Sequence, residues 1–254
     1  MNNPVLLDTK TIDCNITPND YKALERSPTF ELKENSNHQK VFYIHTKNFK
    51  KYIDILDELL LINNTIPSEI FIVLTQFFIE FSQKNKIDIA NYEYQFRIQA
   101  DYVMHDEYFM PAEMHCDVSN YTIALPLSET GNVDDYSLWL GLKNQNSPQQ
   151  NDGPFKVEHF PKEMRKIKYK KNEAILFCNR KKCTIQSYHQ ASLCKAIKKG
   201  IVRQQAILFC KHKKTKINKY ESNYEFDPKN PYEPVMINGT PHYWIWDFNK
   251  NEKI

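Results

Sequence analysis

Glycine is scarce: five residues in a chain of 254. Neither GxGxxG nor GxxxxGK[ST] occurs, so the two glycine-rich loops that cradle phosphates at a helix N-terminus are excluded. Paired CxxC motifs are missing too. The six cysteines (14, 116, 178, 183, 194 and 210) are scattered, which rules out a zinc ribbon and predicts reduced thiols, several of them small core residues. Long hydrophobic runs are lacking. The best, Ile70–Ile79, is too short to span a bilayer, and MNNPVLLDTKTIDCN has no basic start leading into an apolar stretch. A cytoplasmic protein with no membrane partner is therefore expected. Charge of one sign is nearly absent as well, with 34 basic against 31 acidic side chains. The basic runs Lys162–Lys171, Arg180–Lys182, Lys195–Lys199 and Lys211–Lys219 could meet phosphates, but no aromatics are interleaved among them at a regular spacing, so a solvated surface is the favoured reading and nucleic acid an unfavoured partner.

What is present is a globular chain with 41% hydrophobic and 13% aromatic residues, long enough to bury a real core. Over Asn48–Leu61 apolar residues recur at three- and four-residue steps, predicting a helix with one buried face. A second helix is predicted from Pro67-Ser68-Glu69 to about Ser82; it is apolar on most sides and so packed inside. Lys40–His45 is a short β-rich run. From Tyr92 the period changes to two: Tyr94, Phe96, Ile98 and Ala100 alternate with Gln95, Arg97, Gln99 and Asp101. Met114–Leu127 reads as a strand, a polar turn and a second strand, and 137–142, 174–178, 184–189 and 202–210 complete the series. Asn144–Pro154 has no periodicity and reads as a loop. The tail from Tyr220, with its prolines and the cluster Tyr243-Trp244-Ile245-Trp246, reads as a wrap over the domain, because tryptophan is costly to leave in water. Helices followed by some eight short strands predict a mainly β fold: a double-stranded β-helix (jelly-roll, cupin-like) core with N-terminal supporting helices. In a single domain, 1–91 would be the helical support, 92–212 the core and 213–254 an aromatic extension.

His115 and Asp117 are two apart in a β-patterned run, so both side chains leave one face of the strand. His189 ends a later strand. Two imidazoles and a carboxylate supply three ligands on one side of a six-coordinate metal and leave three positions open, the donor set of non-haem Fe(II) oxygenases. By itself an HxD pair arises easily in a chain with eight histidines; the order of the segments around it adds the specificity. Met114–Ser128, Asn172–Phe177, His189, Gly200, Arg203 and the strand Gln204–Phe209 together resemble the Fe(II)/2-oxoglutarate-dependent dioxygenases over roughly Tyr92 to Lys211.

The resemblance implies iron held by His115, Asp117 and His189, with 2-oxoglutarate and O2 as co-substrates and a small-molecule or peptide substrate. A buried co-substrate carboxylate requires a planar, permanently charged partner, and Arg203 suits that task. The spacing Gly200-Ile-Val-Arg203 is one residue longer than the family's common G-x-R, which leaves Lys199 as a rival anchor. Tyr102 and Arg97 lie where similar enzymes often place a hydroxyl or cation against the co-substrate. Asp117 stands where halogenating relatives have a small residue, favouring hydroxylation or desaturation. A nucleic-acid demethylase is disfavoured, since Gln204-Gln205-Ala-Ile-Leu-Phe lacks the second arginine of that branch. His105-Asp106-Glu107 and His159 are weaker ligand candidates. Two further readings remain open: a cupin-like metalloenzyme that does not use 2-oxoglutarate, and a non-catalytic jelly-roll binding protein.

Overall fold

The computed structural model describes residues 6–12, 31–34, 40–46, 48–61, 65–104, 106, 108–109, 117, 119–142, 165–181, 185–192, 194–215, 235–237, 240–242, 246–247 and 252–253. His115, His159, the 144–154 segment and Tyr243 to Ile245 lie outside them. The fold is mainly β, with antiparallel pairing throughout. Strands β1 (Leu6–Thr11), β2 (Glu31–Glu34), β3 (Lys40–His45), β4 (Tyr92–Val103), β6 (Tyr121–Pro126), β9 (Glu173–Cys178) and β13 (Gly200–His212) form a seven-stranded sheet in the order β1-β9-β6-β13-β4-β3-β2. A four-stranded sheet takes the order β10-β11-β7-β8, from β7 (Ser137–Leu142), β8 (Arg165–Lys168), β10 (Arg180–Lys181) and β11 (Ile185–Ala191). A small ladder joins β5 (Tyr108–Phe109) to β12 (Cys194–Lys195).

Two helices cover one face of the large sheet: α1 (Tyr52–Leu60) and α2 (Thr65–Lys84). The first is shorter than the 48–61 periodicity predicts, because Lys50 pairs as a β-bridge with Tyr94 and holds the preceding residues against β4. The second starts before the expected Pro67-Ser68-Glu69, leaving Pro67 in its first turn, where a missing N–H costs nothing. Ile55, Leu59, Phe71, Leu74 and Phe78 from these helices meet Phe96, Ile98, Ile123, Leu176 and Leu208 from the sheet in one core. Phe71 packs edge-on to Phe96 at 5.6 Å and Phe78 to Tyr92 at 5.3 Å. Burying each such side chain contributes roughly 1.5–3 kcal/mol. Among the described residues, no helix is long and apolar enough to cross a membrane.

The opposite face of the large sheet packs on the small one. Ala124, Ile175, Phe177 and Val202 meet Leu138 and Leu140 of β7, with Tyr136 and Tyr169 filling one end. Period two sets the division: on β4, Tyr94, Phe96 and Ile98 face the helices, while Val103 belongs to the core between the sheets. The region 1–91 thus supplies more than helices, since β1, β2 and β3 are strands of the large sheet itself. The Lys-rich stretch expected to be only a solvated surface contains β8, an edge strand whose Arg165, Lys166 and Lys168 stay exposed. Charged edge strands are slow to pair with another chain, which explains the composition. Cys178, Cys194 and Cys210 are buried thiols, and burial pushes the pKa of Cys194 and Cys210 upward.

Candidate active site

Between the two sheets lies a cavity of about 130 Å³. Its floor is the inner face of β4, β13, β6 and β9, and its roof comes from β7 and β11. Asp117 enters just ahead of β6. Its Oδ2 accepts a 2.6 Å hydrogen bond from Thr122 Oγ1. Thr122 is held in turn by Asn179 Nδ2 at 2.7 Å, and Asn179 also donates to Ser119 Oγ at 3.0 Å. His189 comes from β11, where it pairs with Leu140, and its ring lies edge-on to Phe177 at 5.0 Å. The result is His189 Nε2 at 3.6 Å from Asp117 Oδ2, with side chains 7% and 10% exposed.

A separation of 3.6 Å is beyond a good hydrogen bond. It is, however, a span that one first-row divalent ion bridges with bonds of about 2.0–2.2 Å to nitrogen and oxygen. Imidazole plus carboxylate is also the donor chemistry that ferrous iron accepts. The pair therefore fits a metal. Among the described residues no third His, Cys, Asp or Glu completes a ligand cluster, and His115, the expected third ligand, is outside them.

Farther along the floor Arg203 is buried, with its side chain 6% exposed. Its Nη1 lies 3.4 Å from Asp101 Oδ2, its Nη2 donates to Gln205 Oε1 at 2.6 Å, and its guanidinium stacks over Tyr136 at 5.4 Å. Burial alone would lower its pKa, but the Asp101 carboxylate and the neighbouring hydroxyls outweigh that and raise it. Tyr169 lines the same end, accepting from Gln205 Nε2 at 3.2 Å; burial raises its pKa, so it stays a neutral O–H donor. Lys199 is exposed on the turn before β13 and is no part of the cavity. The longer spacing after Gly200 has a local cause. Register shifts between Ile201 and Arg203, so a bulge absorbs Val202 and Arg203 still stands opposite Asp101 on the inner face. Gly200 sits at φ +112°, a conformation that suits glycine.

Tyr102 requires a correction. Arg97 and Gln99 line the cavity, so alternation turns residue 102 to the other face of β4, where its ring lies 4.0 Å from the point a Cβ on Gly200 would occupy. A tyrosine that does line the cavity is Tyr169, from the turn between β8 and β9. Sequence offered no signal for Tyr169, because it sits inside a lysine run. Asp101, Gln205 and Thr122 were also missed, although Arg97, Gln99 and Asp101 recur at every second position. Two of these, Arg97 and Gln99, line the cavity, and the third is sealed beneath it: Gln99 is 8% and Asp101 1% exposed. Of the weaker ligand candidates, Asp106 is surface-exposed beside Lys195 at 3.0 Å, and His105, Glu107 and His159 are outside the described residues.

No protein-family model matches the chain, and no curated protein matches it. Solved structures similar to it include an oxidoreductase of the 2OG-Fe(II) oxygenase family from Burkholderia pseudomallei, at 15% identity over 78% of this chain and 79% of that one, with a TM-score of 0.41. A prolyl-4-hydroxylase from Pseudomonas putida is similar at 8% identity, covering 82% and 94%, with a TM-score of 0.39. The viral collagen prolyl hydroxylase from Paramecium Bursaria Chlorella virus-1 is similar at 13% identity, covering 80% and 95%, with a TM-score of 0.33. Likeness at these identities and scores assigns no activity to this chain.

Proposed function

We propose that this chain is a non-haem Fe(II)- and 2-oxoglutarate-dependent oxygenase on a double-stranded β-helix core, with residues 1–91 as support and 213–254 as an extension. The observation that carries the reading is a largely covered carboxylate and a buried imidazole 3.6 Å apart, in one cavity with a buried arginine. His115, Asp117 and His189 hold the iron, and Arg203 takes the distal carboxylate of 2-oxoglutarate with Tyr169 as a second donor. Iron held by these residues, together with 2-oxoglutarate and O2, would supply the oxidising chemistry needed to hydroxylate an unactivated C–H bond.

The chain's own residues do the positioning. Thr122 fixes the Asp117 carboxylate, and Phe177 fixes the His189 ring. Leu138, Ile207 and Phe209 make part of the wall apolar and keep water from the reacting centre. The substrate is a small molecule or a peptide or protein side chain, with its selection assigned to the 102–111 segment, the 144–154 segment and the tail.

Anaerobic titration with Fe(II) and then 2-oxoglutarate tests the proposal. The weak visible charge-transfer band of the chelate should grow to one equivalent. Tight iron binding with no band at any 2-oxoglutarate concentration would point to a cupin-like metalloenzyme, and no iron binding at all to a non-catalytic binding protein.

A further inference from the structure

Arg203, the arginine of the proposed co-substrate seat, already has a buried carboxylate at its side. Asp101 and Arg203 are directly opposed in the β4–β13 ladder, with side chains 1% and 6% exposed and 3.4 Å between Oδ2 and Nη1. The other oxygen of Asp101 accepts from Gln99 Nε2 at 3.3 Å, so the acid is pinned from two sides. The second outer nitrogen of the guanidinium is committed to Gln205 Oε1 at 2.6 Å. A ligand carboxylate arriving here meets an arginine whose charge is offset at contact distance, and it is repelled by Asp101 in a water-poor setting where charges are weakly screened.

Resting on the oxygenase reading above, we propose that Asp101 is a built-in attenuator of the co-substrate seat: it weakens binding of the distal carboxylate of 2-oxoglutarate so that occupancy follows the co-substrate concentration. Arg203 needs a buried counter-charge whenever the seat is empty, since a lone buried guanidinium is strongly destabilising. Asp101 supplies it. The same charge then opposes the ligand, and the chain trades affinity for an intact empty site. Two consequences follow for ligands. The opposition acts on the distal carboxylate, so a 2-oxo acid without that group does not feel it. Removing the charge of Asp101 while keeping its shape also leaves Arg203 short of a partner that the ligand can provide.

The test uses the full-length protein with Fe(II) under anaerobic conditions, titrated with 2-oxoglutarate and separately with 2-oxopentanoate, which keeps the 2-oxo acid head and lacks the distal carboxylate. Asp101→Asn should lower the 2-oxoglutarate midpoint of the chelate band about tenfold, the size expected from removing one nearby like charge. Its midpoint for 2-oxopentanoate should move by less than about twofold on the same grounds. Adding 2-oxoglutarate should also raise the Tm of Asp101→Asn by more than that of the wild type. Gln205→Glu places a second negative charge at the other terminal nitrogen of Arg203 and should raise the 2-oxoglutarate midpoint about tenfold. A folded Asp101→Asn whose midpoint is unchanged or higher overturns the attenuator. Should that variant not fold, an unmoved midpoint in Gln205→Glu overturns it instead. If the wild type shows no band with either 2-oxo acid, the oxygenase reading fails and the attenuator with it. A wild-type band that neither variant shifts removes the attenuator alone.

Discussion

The two faces of the seven-stranded sheet use the same strands for opposite purposes. Toward the helices β4 presents Tyr94, Phe96 and Ile98, and β13 presents Ala206, Leu208 and Cys210, all buried in a dry apolar core. Toward the small sheet the same two strands present Arg97, Gln99, Arg203 and Gln205 to a cavity. Stability comes from the first face. The second carries buried charge that an apolar core would not need, and buried charge is retained only where it is paired. One strand, read at alternate residues, is therefore scaffold and site together.

That contrast can be broken most sharply at the metal pair. Asp117→Ala and His189→Ala should each abolish stoichiometric Fe(II) binding by metal analysis, and His115→Ala should do the same, while the thermal transition stays within a few degrees. If two of the three keep their iron, the metal lies elsewhere.

On the helix face the expectation reverses. Phe78→Ala should cost about 3–5 kcal/mol in denaturant unfolding, with Fe(II) affinity of the remaining folded protein unaltered. Arg203→Met joins both behaviours: it should remove 2-oxoglutarate binding and also destabilise the protein by about 3–5 kcal/mol, because Asp101 is left buried without its cation. Combining Arg203→Met with Asp101→Asn should recover much of that stability and none of the binding, whereas Lys199→Ala should change neither.

A smaller effect is expected at Thr122. Thr122→Val removes the 2.6 Å donor to Asp117 and should weaken Fe(II) binding by about 10–100-fold, the usual effect of losing a group that orients a metal ligand. Thr122→Ser should restore it, and a Val variant with wild-type affinity would make the Thr122 contact incidental.

The least effect belongs to the surface, where Lys10 and Glu80 join β1 to α2 with side chains 39% and 46% exposed. The hydrogen bond from Lys10 lowers the Glu80 pKa. Its stabilisation is thus present above the unfolded-state pKa and is lost as pH falls through the folded one. Lys10→Met should cost no more than about 1 kcal/mol at neutral pH, screened further by salt, and the difference from wild type should vanish in acid unfolding below that window.

Much of the large sheet was legible from period two alone. Lys40–His45 matches its predicted bounds, and the alternation from Tyr94 to Asp101 lies within the longer β4. Both helices were visible from their apolar spacing. Less legible were β1, β2 and β8: all three sit on the edges of sheets, and β8 is in addition too charged to show a buried face. For the site, Asp117, His189 and Arg203 could be picked out as candidates because ligand and anchor types are few. Thr122, Asp101 and Tyr169 could not, since their roles depend on which strands lie side by side, and the parity that placed Tyr102 outside the cavity is a matter of register.

The bulge between Ile201 and Arg203 bears on how this strand tolerates changes in length. Removing Val202 would leave Ile201 opposite Tyr102 and Arg203 opposite Asp101, so the guanidinium would keep its place. Removing one residue within 204–208 would instead turn every later side chain of β13 to the wrong side, driving polar groups into the apolar core. The strand thus has one joint at which a change of length leaves the later register intact, although Val202 itself is a buried core residue. Sequences that count two or three steps from that glycine to the arginine can describe the same site.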